Sequence, residues 1–493
     1  MKRISVGWSL FLILSLVLLA GCKGGSTPQA IVPQATVPQA TAPLSADNIN
    51  LIFVVSPDLA YHSPGDIHPD TANLTSQGLQ RSLLMATYLK TYLLGTNNVT
   101  GIYTLAPMTH LQTANHYPDM AAIGFIQQFA LLNQITMQGT TANSYPLFAA
   151  YAPGDVPSGV VEPSPYITGA QGLAFNDANG NNVALVTRII NASHPGFYVF
   201  SAPWETTSAL LTNIKTTRGY NLNLPAIYMG TNYVYVISIT PSGNASLVTY
   251  NSNLNPPDTY PVLPAPVAIT SCTQQTYFRY TRTGGVNGVV IPPGTNTNQT
   301  VYLIRHAEAH PTSSFEDGNF VGAGQWRALS LPNFLPTALR SQPSPTVVYS
   351  IDPAQSFALA ADFSVSYVRP SLTVLPYAIV YHLPYYLVSS FSIGTVTTDP
   401  AVAKATSDFL FTGGNLSNQV VLLAWEHEHY PPLITYLIQS YGGTVPVPAF
   451  SWPQTDYDTI WMVTLDAQGN LTVNNALCEG IDSTKLPVTA PQF

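Results

Sequence analysis

Five short segments recur in the same order in the two halves of this chain, and this repeat constrains the fold more than any other feature. Ile52-Phe53-Val54-Val55 is matched by Tyr302-Leu303-Ile304, which sets Ser56-Pro57 opposite Arg305-His306. Gly78-Leu79-Gln80-Arg81 is matched by Gly324-Gln325-Trp326-Arg327, and Thr109 stands where Arg369 precedes Leu372-Thr373. Trp204-Glu205-Thr206 is matched by Trp425-Glu426-His427, each after an apolar run, FYVF or VVLLA. Last, Ile239-Thr240-Pro241-Ser242-Gly243-Asn244 is matched by Leu465-Asp466-Ala467-Gln468-Gly469-Asn470. One match of this kind means little. Five collinear ones predict a duplicated domain, with an insertion around 150–180 in the first copy.

Each half opens with a short apolar run, LIFVV at 51–55 and VYLI at 301–304, followed by longer helical stretches. That alternation predicts an α/β fold: two tandem three-layer α/β domains with mainly parallel sheets, over 49–253 and 296–493. A Pro-rich stretch from Asn255-Pro256-Pro257 to Pro266 separates them, so 254–295 reads as a linker and connecting segment. Residues 23–48 are rich in Pro, Gln, Ala and Thr, with VPQAT in tandem, and read as an extended tether. Before the tether come Lys2-Arg3, an uncharged and mostly apolar run from Val6 to Gly21, and Cys22. A basic start, a short apolar run and small residues make 1–22 an export signal. The run falls short of the ~20 residues of a comfortable spanning helix, although an uncleaved anchor is the alternative. In an oxidising compartment the two other cysteines, Cys272 and Cys478, are expected to form a disulfide.

Charge is scarce. Only 8% of residues are charged, against about 25% in an ordinary soluble protein, so each placed charge is informative. With 16 basic against 24 acidic residues, nucleic acid is not an expected partner. From residue 296 onward there are six Lys or Arg: Arg305, Arg327, Arg340, Arg369, Lys404 and Lys485. Arg305-His306-Ala307-Glu308 directly follows an apolar strand, His427 follows another, and Arg369 follows the β-prone SVSYV. Ligands of open α/β sheets bind beyond the carboxyl ends of the strands. Two arginines and two histidines meeting there would form a cationic pocket, with guanidinium forks for phosphate oxygens and an imidazole nucleophile. An Arg-His pair alone is more often a surface feature. His306-x-Glu308-x-His310 and His427-Glu428-His429 also fit metal ligation, since alternation in a strand sets the first three on one face. A metal centre needs no arginine, so no metal is expected. Trp425 reads as core or pocket wall, and His62, His68, His110, His116 and His194 as ordinary polar positions.

These residues resemble the histidine phosphatase (phosphoglycerate mutase-like) superfamily over most of 297–475 and, in degenerate form, over most of 49–250. The family's RHG or RHxE signature is matched by Arg305-His306-Ala307-Glu308. Its strand–Ser and Arg-to-Thr segments are matched by Tyr349-Ser350 and by Arg369-Pro370-Ser371-Leu372-Thr373, and its late strand–His by VVLLAWEH ending at His427. The resemblance implies that His306 becomes phosphohistidine while Arg305, Arg369 and His427 hold the phosphoryl oxygens. It implies a small-molecule phosphate ester as substrate and no cofactor. In the first copy Ser56, Pro57, Thr109 and Thr206 stand at the corresponding positions, so that copy is expected to be silent. Leu19-Ala20-Gly21-Cys22 resembles the lipobox of bacterial lipoproteins, which implies lipid on Cys22 and a membrane-attached protein of the cell envelope. Lys23 after the cysteine, by resemblance to lipoprotein sorting signals, favours the outer membrane.

One departure concerns the proton donor. Many relatives keep a Glu between the second Arg and the late His, where this chain has only Asp399 and Asp408 before Glu426. Others place an acid directly after the late His, and Glu428 sits there. Glu428 is therefore the first candidate, with Trp425, Tyr430 and Pro431 as neighbours that would desolvate it. Glu308 is second, and Asp399 lies in a loop-like stretch. The expected function is a lipid-anchored phosphomonoesterase. A non-catalytic surface or scaffold lipoprotein that has kept the fold, and a metal-dependent hydrolase, are the alternatives.

Overall fold

The apolar runs that open the two halves become central strands of two separate sheets in the computed structural model of this protein. The structure describes residues 44–493 except 60–64, 108, 111–117, 138–146, 152–159, 162–181, 273–276, 310–316, 361–362, 389, 395–399 and 445–450. The expected export signal with Cys22, most of the tether and of the insertion, and His62, His116, His310 and Asp399 lie outside the described residues.

In chain order the first half runs β1 (Ile49–Val55), α1 (Ser76–Tyr88), β2 (Gly101–Leu105), β3 (Thr109–His110), α2 (Ala121–Met137), β4 (Leu147–Tyr151), β5 (Val160–Val161), α3 (Asn182–Ala192), β6 (Gly196–Ala202), α4 (Trp204–Arg218), β7 (Tyr233–Ile239) and β8 (Ala245–Asn251). The second runs β9 (Arg279–Arg282), β10 (Gln299–Arg305), α5 (Gly322–Ala338), β11 (Val347–Ile351), β12 (Ser356–Ala360), β13 (Phe363–Ser366), α6 (Arg369–Tyr381), β14 (Tyr385–Val388), α7 (Pro400–Phe411), β15 (Val420–Trp425), α8 (Tyr430–Ser440), β16 (Thr459–Leu465) and β17 (Leu471–Cys478). The first sheet has the order β4-β2-β6-β1-β7-β8 and the second β14-β11-β15-β10-β16-β17-β9. Apart from β9 the two orders coincide strand for strand. In each, four parallel strands are followed by two more joined on through antiparallel pairings.

The cores explain why the opening runs are continuously apolar rather than alternating. Both faces of each sheet are covered, as in parallel α/β sheets generally. Ile52 and Val54 of β1, with Tyr302 and Ile304 of β10, enter one core that also takes Leu83 of α1, Ile126 of α2, Leu329 of α5 and Leu375 of α6. The opposite face of β1 (Leu51, Phe53, Val55) packs on α3 and α4. The opposite face of β10 (Val301, Leu303) packs on α7 and α8. Each half is therefore three-layered, and the halves share their inner helices within one compact unit, Val37–Phe493. Among the described residues no helix is long and apolar enough to cross a membrane.

The connecting segment departs from the sequence reading, because it supplies β9 as an edge strand beside β17. Its RYTR sequence alternates exposed and half-buried side chains, as an edge strand with one covered face does. The structure joins Cys272 to Cys478 with Cα atoms 5.5 Å apart, closing 206 residues of chain. A loop of that length gives about 5 kcal/mol in the chain-entropy account, against the roughly 2–4 kcal/mol that disulfides typically deliver.

Candidate active site

The site is assembled at the carboxyl edge of the second sheet. Arg305 is the last residue of β10 and pairs with Trp425, the last residue of β15. The His306 N–H extends this ladder by donating to Trp425 O at 3.0 Å, which pins the imidazole at the sheet edge. His427 lies two residues beyond β15, in a 3-10 turn (His427–His429) that leads into α8 rather than in an extended strand. Arg369 opens α6, with Pro370 behind it in the first turn, where its missing N–H costs nothing. All four side chains are buried.

His306 Nδ1 lies 2.8 Å from Ala307 O. A carbonyl only accepts, so Nδ1 carries the proton and Nε2 the lone pair. Ala307 N–H donates to Thr373 Oγ1 at 2.8 Å, and that hydroxyl donates to Arg369 O at 2.7 Å. Thr373 is one helical turn beyond Arg369, so this Arg-to-Thr spacing ties α6 to the segment that follows β10. Burial first, then the guanidinium groups of Arg369 and Arg305, push the His306 pKa well below its ordinary 6.5. Burial, Arg305, His429 and Arg369 bring His427 down to about 3. Both imidazoles are thus neutral at pH 7, and the positive charge of the pocket resides on the two arginines.

Each arginine is oriented by a tyrosine that the sequence reading did not single out. The Arg305 guanidinium carbon sits 3.8 Å above the Tyr457 ring, and Nη1 donates to Gln454 O and to Asp456 O. Arg369 donates from Nε (3.0 Å) and Nη2 (2.7 Å) to Tyr367 Oη, which in turn donates to Glu426 Oε1 at 2.6 Å. The second Glu426 oxygen accepts Gly394 N–H at 2.9 Å and lies 3.0 Å from His429 Nε2. Both tyrosine rings stand edge-on to His306, with centroids 6.5 Å (Tyr367) and 6.1 Å (Tyr457) away. Tyr367 precedes Arg369 by two residues and Glu426 directly precedes His427, which is the only sequence signal they gave. Among the described residues, Arg305 Nε and both ring nitrogens of His427 are buried without a hydrogen-bond partner. Buried polar atoms are nearly always paired, so orphans clustered on two of these four side chains are open to a ligand.

The candidate acids fall in different surroundings. Both oxygens of Glu308 are engaged by the fully buried Arg327, at 2.8 to 3.1 Å, and Oε1 also accepts from Ser483 Oγ at 2.8 Å. Arg327 further pairs with Glu479 and with Asp458 at 3.5 Å. Glu308 is therefore part of a buried ion cluster beneath the site, which corrects its reading as a proton donor or a metal ligand. Glu428 has its Oε1 3.8 Å from His427 Nε2 and accepts from Gln454 Nε2 at 3.3 Å. Its side chain is 45% exposed, so Trp425, Tyr430 and Pro431 do not desolvate it as expected.

The first half repeats the backbone without the chemistry, in a register one step away from the sequence match. Val54 pairs with Val234 as Ile304 pairs with Ile460, and Ser56 N–H donates to Ala202 O as His306 N–H donates to Trp425 O. Val55 and Ser56, rather than Ser56 and Pro57, thus stand in the places of Arg305 and His306. The same pairing puts Trp204, rather than Thr206, at the level of His427. Ala121 opens α2 where Arg369 opens α6, while Thr109 belongs to the small β3–β5 ribbon.

No family model matches this chain, and no curated protein matches it. Among solved structures it is similar to a phosphoglycerate mutase from Plasmodium falciparum at 16% identity. That match covers 40% of this chain and 99% of the mutase, with a TM-score of 0.25. A likeness at that level leaves the reading of the site to the residues themselves.

Proposed function

We propose that the chain is a phosphomonoesterase of the histidine phosphatase type whose second half works through a phosphohistidine on His306. The observation that carries this reading is the neutral His306, with Nδ1 fixed on Ala307 O, lying among Arg305, Arg369 and His427. The guanidinium forks take the phosphoryl oxygens and neutralise the charge that would repel a nucleophile. His306 Nε2 attacks phosphorus in line, the P–O bond to the alcohol breaks, and Glu428 supplies the proton the alkoxide needs. Water then attacks the phosphohistidine, Glu428 takes its proton, and inorganic phosphate leaves. Burial and the two arginines lower the His306 pKa, so Nε2 presents its lone pair at neutral pH and the nucleophile needs no separate base. A panel of phosphate monoesters, with acid-labile phosphate trapped on wild type and absent from His306→Ala, tests the proposal. Full turnover in His306→Ala, or its loss to EDTA in wild type, would replace it with metal-assisted hydrolysis.

The same reading makes the halves copies of one domain, the first silent because Val55, Ser56, Ala121 and Trp204 offer neither cation nor imidazole. It also keeps the lipid anchor: Cys22 after Leu19-Ala20-Gly21 supports cleavage and lipidation there. Cys22→Ser should release or misprocess the protein, and unchanged membrane fractionation would rule the anchor out.

A further inference from the structure

Helix α2 of the first half reaches across the shared core to the turn on which Arg369 is seated. Gln127 and Asn319 exchange amide hydrogen bonds, Gln127 Nε2 to Asn319 Oδ1 at 2.8 Å and Asn319 Nδ2 to Gln127 Oε1 at 3.1 Å. Two turns along the same helix, Gln134 Nε2 donates to Phe320 O at 2.9 Å and to Asp317 Oδ2 at 3.2 Å. Gln127, Gln134, Asp317 and Asn319 are all buried. The turn they grip is a tight one, with Gly318 at φ +75°, which suits glycine. Gly318 O accepts the backbone N–H groups of Val368 (2.9 Å) and Arg369 (3.1 Å), and Val321 N–H donates to Glu308 O at 2.9 Å. One short segment therefore touches both the start of α6 and the segment that follows the nucleophile.

We propose that the first half is the positioning element of the second half's site, acting through Gln127 and Gln134 on the Asp317–Phe320 turn. Leucines would fill this interface as well by volume. Buried amides are retained at a cost unless each is satisfied, and once satisfied they admit one arrangement. Here the arrangement they fix is the depth at which Arg369 enters the pocket. Gln127 and Gln134 touch no reacting atom, so they act as positioning residues. The proposal rests on the phosphatase reading for its kinetic consequence, although its structural part can be measured without turnover.

The test uses the full chain with Gln134→Leu, Gln127→Leu, and the double swap Gln127→Asn with Asn319→Gln. Hydrogen exchange at the Val368 and Arg369 amides should quicken in both leucine variants and return toward wild type in the swap. With an aryl phosphate as substrate, KM and the inhibition constant of inorganic phosphate should rise together, on the order of tenfold, the worth of about one hydrogen bond. The melting temperature should fall too little to account for that. A fall in melting temperature with exchange at these amides, KM and phosphate inhibition unchanged would overturn the proposal and leave an ordinary interface. Quickened exchange in a chain whose wild type neither hydrolyses the ester nor binds phosphate would keep the positioning contact and overturn the phosphatase reading instead.

Discussion

The two sheets share a strand order and differ at their carboxyl edges. Val55 faces the position of Arg305, Ser56 that of His306, Ala106 that of Asp352 and Trp204 that of His427. Away from that edge the halves use the same devices. The hairpins after β7 and β16 close with the same pair of bonds, Thr240 N to Asn244 O (2.8 Å) and Asp466 N to Asn470 O (3.1 Å). Gly78 and Gly324 each leave no room for a Cβ, which would meet Asp66 O at 2.1 Å or Phe320 Cβ at 2.7 Å. Three residues on, Arg81 grips Asp66 and Arg327 grips Glu308. The fold requires the glycine, the arginine and the hairpin. Under the proposed function only the chemistry requires Arg305, His306, Arg369 and His427, and those are the positions where the halves part.

The largest effect should therefore come from a pair of equivalent substitutions. His306→Ala is expected to lower turnover on the order of 10⁴-fold or more, as loss of a covalent nucleophile does elsewhere. Ser56→Ala should change neither turnover nor folding, since Ser56 Oγ is buried with no partner among the described residues and its removal strands nothing. Steady-state kinetics on both variants checks the pair. Equal losses would erase the distinction between a working and a silent edge.

A second contrast lies in the two buried arginines. Among the described residues Arg327 is the one cation paired with Glu308, Glu479 and Asp458, and burial pushes Glu479 up to about 8 even so. Arg81 answers one carboxylate, Asp66, helped by Asn232 and Leu254 O. Arg327→Met strands two buried acids and the half-buried Asp458, and should cost about 3–5 kcal/mol, as breaking a buried ion pair does. Arg81→Met strands one acid only and should cost less, about 3 kcal/mol, the low end of that range. Denaturant unfolding of the two variants decides the order, and a larger loss at Arg81 would contradict it.

Much of this comparison was legible in the sequence, and what was missed has a physical reason. The Gly-to-Arg and hairpin segments aligned correctly because each carries residues that only one backbone geometry accepts. The strand ends slipped by one residue. A strand buried on both faces has no alternation to mark its register, so β1 and β10 look alike at either offset. Trp204-Glu205 and Trp425-Glu426 misled for a different reason: the shared dipeptide opens a helix in one half and straddles the end of a strand in the other. Tyr367 and Tyr457 were beyond reach, since a tyrosine that orients a guanidinium is indistinguishable in sequence from one that fills a core.

The proton donor gives a third contrast. Glu205 follows Trp204 as Glu428 follows His427, so the same register brings both carboxylates to the edge of their sheets. Glu428→Gln should slow alkyl phosphates roughly a hundredfold, the usual worth of a general acid, while sparing activated aryl phosphates whose leaving groups need no proton. Glu205→Gln should spare both. If Glu428→Gln slows the two classes equally, the acid lies elsewhere and Glu428 only shapes the pocket mouth.

The smallest expected effect concerns Asp352, the charged counterpart of Ala106. It directly follows β11 and is buried, with Oδ1 accepting Ala354 N–H at 2.9 Å and Oδ2 without a partner among the described residues. Burial pushes its pKa up to about 7, against an ordinary 3.8. Between those values the folded chain keeps a proton that the unfolded chain has released. The folded state then binds more protons, so stability falls as pH rises from about 4 to about 7 and levels off above. Asp352→Asn retains the acceptor for Ala354 and carries no charge. It should match wild type near pH 4 and exceed it increasingly above, by about 2 kcal/mol between pH 5 and pH 7. Ala106→Asp should create the mirror-image slope in the first half, where the same strand end is equally covered. Taking the difference from wild type at each pH removes the titration of every other group. A difference that stays constant from pH 4 to pH 8 would show that Asp352 ionises at no cost, and that the two edges differ less in burial than in sequence.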